Sequence, residues 1–198
     1  MKLTAIALLG WRYEKDPVLL GLAADLSSFS YLKRKAFKEM LIFVARTAAS
    51  ATSPGQKQSV QYEQYFCHIQ NLGGLIAAVF VDEEYPSRPA FAVAKHVIEK
   101  FDARSMDAWR QQQVDCTAAN DILEASLQEF QDPGEADKIF KLGREVDDIK
   151  VIMHKNIDHM LDRGEKIDVL VSKSNDLSST SKIFYKQAKK SKRCCTIM

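Results

Sequence analysis

The residues with the clearest chemistry are two adjacent cysteines near the end of the chain. Cys195-Thr196-Ile197-Met198 is a C-a-a-X sequence with methionine at X, the pattern that favours farnesylation of Cys195. Cys194 offers a second thiol, suited to palmitoylation. One lipid chain binds a bilayer only marginally, so stable anchoring needs a second lipid or a basic patch. We therefore predict covalent farnesyl and palmitoyl lipids and no other cofactor.

A basic stretch precedes these cysteines, although the net charge of the chain is only +2. Residues 182–193 include six basic side chains and no acid, which is typical of segments that bind an anionic membrane surface. No apolar run approaches the roughly 18–20 residues that span a bilayer. The four cysteines form no disulfide framework, which indicates a reducing compartment. We expect a cytoplasmic protein that attaches reversibly to membranes.

Enzymatic alternatives find little support in the residues. A lipidated small GTPase would need G-x-x-x-x-G-K-[ST] near its first strand, and nothing of the kind follows Gly10 or Gly21. A thiol acyltransferase using Cys67 and His68 is a second rival. Neighbours on a strand point to opposite faces, which separates a nucleophile from its base. We expect no catalytic, cofactor-binding or metal-binding residues.

The longest pattern is a heptad seam in the last third of the chain. Apolar residues recur from Ile139 at alternating spacings of three and four, and eleven of the sixteen seam positions are apolar. A helix of period 3.6 would drift out of this frame over seven heptads, so the pattern predicts supercoiling with partner helices. The sixteen positions are Ile139, Leu142, Val146, Ile149, Met153, Asn156, Met160, Arg163, Ile167, Leu170, Ser174, Leu177, Ser181, Phe184, Ala188 and Ser191.

One seam position near the middle is a cation, Arg163. A buried guanidinium brings five donors and is costly unless acceptors surround it. Side-chain amide oxygens from three other helices would satisfy it without adding charge, and such a polar layer fixes the register of a bundle. The alternative is that the helix rotates and Arg163 extends to water. The apolar layers on both sides favour the buried layer.

The first two thirds of the chain show the pattern of a mixed α and β domain. Apolar runs predict strands at Leu3–Leu9, Val18–Ala24 and Leu75–Val81, with further strand-like sequence from Ser59 to Gln70. Helical periodicity predicts helices over about 31–50, 87–101 and 117–130. Strands that are apolar on both faces need helices on both sides of the sheet. No strand is expected after Met106.

These motifs together carry a resemblance to one family. Residues 139–191 resemble an R-SNARE motif with Asp162-Arg163-Gly164-Glu165-Lys166-Ile167 at its centre. The N-terminal part resembles the profilin-like longin domain, notably through residues 82–91, Asp-Glu-Glu-Tyr-Pro-Ser-Arg-Pro-Ala-Phe. Residues 184–190 followed by the cysteine pair resemble the end of R-SNAREs that carry prenyl and palmitoyl groups instead of a transmembrane segment.

The resemblance implies an α+β fold: a longin domain with a mostly antiparallel five-stranded sheet and helices on both faces, followed by a C-terminal coiled-coil SNARE helix. It divides the chain into a longin domain (1–131), a linker (132–138), the SNARE motif (139–191) and a lipidated tail (192–198). The alternative is a longin-type trafficking adaptor that takes no part in fusion.

The resemblance also implies a mechanism. Arg163 would meet three glutamines from partner Q-SNARE helices in a four-helix bundle that drives intracellular vesicle fusion. Membranes of the Golgi, endoplasmic reticulum, endosome or vacuole are the expected locations. The longin domain would fold back over the SNARE motif and hold the cytosolic form inert.

A domain that folds back in this way needs an apolar docking surface. We assign that surface to Ile42 and Phe43, because the helical wheel leaves them at or beyond the core stripe of their helix. Phe43 is equally compatible with a plain core position.

Two seam positions are serines, Ser174 and Ser181. A phosphate would add up to two negative charges to a buried face. We predict that phosphorylation at either serine loosens the closed form and hinders bundle assembly. The alternative is that they are simply small-residue layers, as at Ala188.

Overall fold

The computed structural model of the chain describes residues 1–13, 15–142, 150–161 and 166–194, without the side chains of residues 32, 139–142 and 187–194. Six strands form one mixed sheet in the order β2-β1-β5-β4-β3-β6. All neighbouring strands are antiparallel except β3 and β6, which are parallel. The strands are β1 (Leu3–Gly10), β2 (Val18–Ala24), β3 (Lys57–Tyr62), β4 (Tyr65–Leu72), β5 (Leu75–Asp82) and β6 (Val151–His154).

Helices cover both faces of this sheet. On one face, α2 and α3 pack over a core that includes Ile6, Leu8 and Val79. On the other face, α1 and the C-terminal segment cover a core that includes Leu9, Ile76 and Phe80. The helices are α1 (Tyr31–Ser50), α2 (Ser87–Ser105), α3 (Asn120–Glu129), α4 (Pro133–Leu142), α5 (Ile167–Lys173) and α6 (Ser179–Cys194).

The central strands are apolar on both sides because both sides are covered. In β1, Ile6 and Leu8 belong to the α2 face, whereas Ala7 and Leu9 belong to the α1 face, and all four are fully buried. The predicted α+β fold with helices on both faces of the sheet is confirmed, but the sheet has six strands and not the five predicted, because β6 joins it beside β3.

The strand-like sequence from Ser59 to Gln70 forms a hairpin of two strands. Its turn is made by Glu63 and Gln64 between β3 and β4, and Glu63 adopts a φ of 57°. Neither residue is a glycine or an asparagine, so the usual sequence signal for such a turn is missing. The sequence therefore predicted the hairpin's residues as strand but did not locate the turn.

The segment expected as a linker, 132–138, lies within α4 except for Asp132, which precedes the helix. Proline at the first position of a helix is favourable because its missing N–H is not needed there. Ala136 of α4 is buried, and Asp137 lies 3.3 Å from the guanidinium Nε of Arg88 on α2. The proposed domain boundaries stay a prediction.

The expectation of no strand after Met106, and of one continuous helix through the seam, does not hold for this conformation. Val151–His154 forms β6, which pairs with β3 from Lys57↔Val151 to Val60↔His154. A short 3₁₀ helix at Ile157–His159 follows, and then α5 and α6. The physical reason is that β6 gains backbone pairing with β3, and the seam residues Met160, Ile167 and Leu177 gain burial in the α1-side core.

Candidate functional site: the docking interface of the C-terminal segment

Helix α1 provides one side of the interface. Glu39, Ile42, Phe43 and Arg46 are spaced at three, four and seven residues, which places them along one face of a helix. Phe43 is only 3% exposed, and Ile42 is half-buried at the edge of the same apolar cluster. The C-terminal segment contributes five buried members to that cluster, Ile157, Met160, Ile167, Val171 and Leu177. The two residues assigned to docking thus share a core with the segment, and their role in docking stays a prediction.

The seam positions divide between buried and exposed. Met153 and Asn156 are exposed, and Leu170, Ser174 and Phe184 are half-buried. The buried positions are Met160, Ile167, Leu177 and Ser181. Most described seam positions from Met160 onward are therefore withheld from solvent. Arg163, Val146 and Ile149 lie outside the described residues, as do the side chains of Ile139, Leu142, Ala188 and Ser191.

Two polar seam positions, Asn156 and Ser174, lie where the chain is not α-helical, whereas Ser181 lies within α6. The side chain of Asn156 accepts a hydrogen bond from the His159 N–H and caps the 3₁₀ helix. Ser174 ends α5 in an extended conformation, and its Oγ accepts from the Asp176 N–H at 3.0 Å. Short polar side chains compete with helical hydrogen bonds in this way. Asn156 and Ser174 thus favour the conformation in which the seam is interrupted, whereas leucine at these two positions could not accept such hydrogen bonds.

A carboxylate on α1 accepts hydrogen bonds from the residues at the start of α6. Glu39 Oε2 accepts hydrogen bonds from the Ser178 N–H at 2.8 Å and the Ser181 Oγ–H at 2.7 Å. Ser178 Oγ in turn accepts from the Ser181 N–H, which caps the first turn of α6. Burial acts to raise the pKa of Glu39, but the hydrogen bonds from Ser181 and Ser178 outweigh it, and the pKa lies below its ordinary value. The carboxylate is therefore charged when it holds α6.

A guanidinium of α1 joins three separate segments. Arg46 Nε donates to Asp176 Oδ2 at 2.9 Å, and Nη2 donates to Asp115 Oδ2 at 2.6 Å. Nη1 donates to the carbonyl oxygen of Pro17. The side chains of Arg46 and Asp176 are 14% and 17% exposed. Burial acts to lower the pKa of Arg46, but the bonds to Asp115 and Asp176 outweigh it and raise it overall. Of these three partners, only Asp176 belongs to the C-terminal segment.

Backbone pairing provides a further contact. Strand β6 extends the sheet beyond β3, and His154 Nε2 lies 2.7 Å from Gln58 Oε1. The amide oxygen only accepts, so His154 Nε2 carries a proton in this contact. Burial lowers the pKa of His154. The β3 edge of the sheet is thus covered by the chain's own C-terminal segment.

Between α1 and the segment lies an open cleft of about 820 Å³. Its lining combines the apolar side chains of Phe43, Met160 and Leu170 with the charged side chains of Arg46 and Asp176. The cleft lies where the C-terminal segment meets α1.

Cys67 and His68, which a thiol acyltransferase would need to bring together, lie apart. Cys67 is fully buried in the α1-side core, and burial raises the pKa of its thiol. His68 faces the other side of the sheet, where its ring contacts Phe91 and its Nδ1 lies 2.7 Å from Ser59 Oγ. Burial lowers the pKa of His68 to about 4. The two side chains lie on opposite faces, as the strand alternation predicts.

The predicted lipidation sites lie at the edge of what the structure describes. Cys194 is the last residue of α6, and Cys195 lies outside the described residues. Within the described part of the chain, each helix is too short or too polar to cross a bilayer.

Sequence reasoning missed Glu39, Arg46 and Asp176. A signal existed for the first two, since both share a helical face with Ile42 and Phe43. Their partners lie 130 or more residues away along the chain, and no sequence pattern links positions at that separation.

Known proteins match this chain along its length. The family model described as Synaptobrevin matches residues 138–197, and the one described as Regulated-SNARE-like domain matches residues 26–130. The VAMP-like protein YKT61 of Arabidopsis thaliana is 47% identical over 199 residues, covering all of both chains. The Synaptobrevin homolog YKT6 of Saccharomyces cerevisiae is 39% identical over 181 residues, covering 88% of each chain. This chain therefore belongs to the longin-domain SNARE family related to synaptobrevin.

Proposed function

We propose that this chain is an R-SNARE of intracellular vesicle fusion whose longin domain masks its own SNARE motif until partner helices replace the intramolecular contacts. The observation that supports this proposal most is the burial of Met160, Ile167, Leu177 and Ser181 against the longin domain. The same four positions belong to the heptad seam that a four-helix bundle would bury. The same side chains cannot be buried against the longin domain and inside a four-helix bundle at once. The sequence therefore has a closed state and an assembled state.

In the assembled state, residues 139–191 form one helix beside three glutamine-bearing Q-SNARE helices. Arg163 lies in the central layer of that bundle, where three neutral amide oxygens accept its N–H groups. An isolated buried guanidinium is strongly unfavourable, so this layer selects partners that bring acceptors. Gly143 and Gly164 each weaken the isolated helix by about 0.5–1 kcal/mol relative to alanine. The helix therefore forms mainly on assembly.

The experiment mixes the full chain with three Q-SNARE helices and detects a complex that resists sodium dodecyl sulfate. We expect wild type to form it and Arg163→Glu to fail, because the substitution buries a carboxylate in the central layer without a compensating positive charge. Lys150→Gln is the matched control, since Lys150 is an exposed basic residue outside the seam positions. Failure of the wild-type chain to form any such complex would favour a longin-type adaptor instead.

Membrane attachment rests on the cysteine pair. We expect farnesyl on Cys195 and palmitoyl on Cys194, with the basic stretch of residues 182–193 binding anionic headgroups on the cytosolic face of endomembranes. The farnesyl chain alone exchanges with the cytosol, and palmitoylation retains the protein on the membrane. Mass spectrometry of the protein from its native cell tests both lipids. Membrane residence of Cys194→Ala equal to that of wild type would contradict the cycle.

Phosphorylation of Ser181 or Ser174 is the proposed regulation. Ser181 is 1% exposed, and its hydroxyl donates to the Glu39 carboxylate. A phosphate there would meet a negative charge in a buried place and oppose the closed form. Ser174 is half-buried, and its Oγ accepts from the Asp176 N–H.

A further inference from the structure

Helices α1 and α6 lie side by side and run in opposite directions. Glu39, near the middle of α1, holds Ser178 and Ser181 at the start of α6. Lys33, close to the start of α1, lies with its Nζ 5.9 Å from the ring centroid of Phe184, further along α6. The first turns of α1 therefore lie beside the part of α6 that leads to the cysteine pair.

Both helices carry basic side chains on this stretch. On α1, Lys33, Arg34, Lys35 and Lys38 are exposed, and on α6 Lys186 is exposed and Lys182 half-buried. We call these six residues the basic surface. The sequence of α6 contains no acid, and Glu39 is the single acid of α1. That carboxylate is turned toward α6 and engaged by two hydrogen bonds.

Two apolar side chains stand among these cations. Tyr31, the first residue of α1, is 84% exposed, and Ile183 on α6 is 57% exposed. An exposed tyrosine and an aliphatic side chain surrounded by lysines are suited to the headgroup region of a bilayer, where a polar tip and an apolar body are both accommodated.

We propose that the basic surface docks the closed form on an anionic phospholipid bilayer, with the longin domain adding its α1 cations to those of the C-terminal stretch. This inference deepens the proposed function and rests on its membrane attachment. Cys194, the last residue of α6, would then lie near the bilayer that the basic surface contacts. Because α6 packs beside α1 only when the segment is folded back, the combined surface belongs to the closed form.

The test uses the full chain without lipids and vesicles of phosphatidylcholine, alone or mixed with phosphatidylserine. Lys35→Gln and Lys38→Gln together should weaken binding to the mixed vesicles by about 25-fold, from about five-fold for each lysine near an anionic surface. The matched control is Lys95→Gln with Lys100→Gln on α2, which covers the opposite face of the sheet. The control pair should bind as wild type does, and added salt should weaken all the chains.

Three outcomes would overturn the inference: equal losses in the two pairs of variants, equal wild-type binding to both kinds of vesicle, or binding to a soluble polyanion such as heparin with none to vesicles. The same variants are mixed with three Q-SNARE helices to keep the two proposals apart. Lys35 and Lys38 lie outside residues 139–191, so assembly should be unchanged. If the wild-type chain failed to assemble, the proposed function would be refuted. Vesicle binding would still test the basic surface, because that assay contains no Q-SNARE helices.

Discussion

Replacing Asp176 by alanine should open the closed form without harming the assembled bundle. Asp176 is the single partner of Arg46 that leaves with the C-terminal segment, and it occupies no seam position. Asp115 and the carbonyl of Pro17 remain bonded to Arg46 in the variant. The guanidinium is therefore not left uncompensated, and the penalty of about 3–5 kcal/mol for that case does not apply.

The expected loss is that of one charge-assisted hydrogen bond, about 1.5–3 kcal/mol. Both side chains are mostly buried, so solvent screening is limited. Since about 1.4 kcal/mol corresponds to a factor of ten, the closed-to-open ratio should fall roughly ten- to a hundred-fold. When opening precedes assembly and the open form is rare, the rate of assembly rises by the same factor.

The assay is the rate at which fluorescently labelled Q-SNARE helices enter a complex with the full chain. Asp115→Ala is the matched control, because it removes the same charge from Arg46 in both the closed and the open form. It should change the rate far less. In a chain that already carries Arg46→Ala, Asp176→Ala should have little further effect, as expected for a coupled pair. Equal assembly rates for Asp176→Ala and wild type would refute the claim that the Arg46–Asp176 bond holds the closed form.

Three further predictions concern the same interface and the core beneath it. Phe43→Glu places a charge in the apolar cluster and should open the chain, seen as a larger hydrodynamic radius; an unchanged radius would count against docking at Phe43. Ser181→Asp faces the Glu39 carboxylate and should speed proteolysis of the C-terminal segment, and Glu39→Gln should restore protection; protection of Ser181→Asp equal to wild type would contradict this contact. The third concerns His68, whose pKa of about 4 in the folded chain lies below the value of 6.5 in the unfolded chain. Between these pH values the unfolded chain binds more protons than the folded chain. The free energy of unfolding therefore falls as pH drops through that window. The free energy of unfolding should decrease by about 3 kcal/mol from pH 7 to pH 4 on this account, and His68→Gln should remove most of that slope in urea titrations; an unaltered slope would exclude His68 as its source.

The sequence predicted those elements whose pattern does not depend on distant partners. Strands β1 and β5 were readable because both of their faces are apolar, and α1 was readable from its helical stripe. The turn at Glu63 was not located, because it lacks glycine or asparagine. Strand β6 was missed for a different reason. Met153 is a seam position of the heptad, but it also lies in the run Val151–Met153, which suits an edge strand, and only the neighbouring β3 decides between the two structures.

At the docking interface, too, residues with a local pattern were predicted and contacts between distant positions were not. Ile42 and Phe43 were assigned because the helical wheel places them at or beyond the core stripe, a local property. The bond between Arg46 and Asp176 joins positions 130 residues apart, and no local pattern encodes it. The heptad pattern of the seam predicts the helix of the assembled state and not the folded-back conformation. Two of its polar positions, Asn156 and Ser174, accept backbone hydrogen bonds in the folded-back form.

The most direct test of the closed and assembled states measures the distance between α1 and α6 by pulsed electron spin resonance. Spin labels are placed at Lys35→Cys and Ser179→Cys, both exposed positions, in a chain whose Cys116, Cys194 and Cys195 are serine. The free chain should give a short, narrow distance distribution. Three Q-SNARE helices should replace it with a long and broad one, because residues 139–191 then form a rod of about 80 Å. A short distance that persists after assembly, or a long distance in the free chain, would contradict the account.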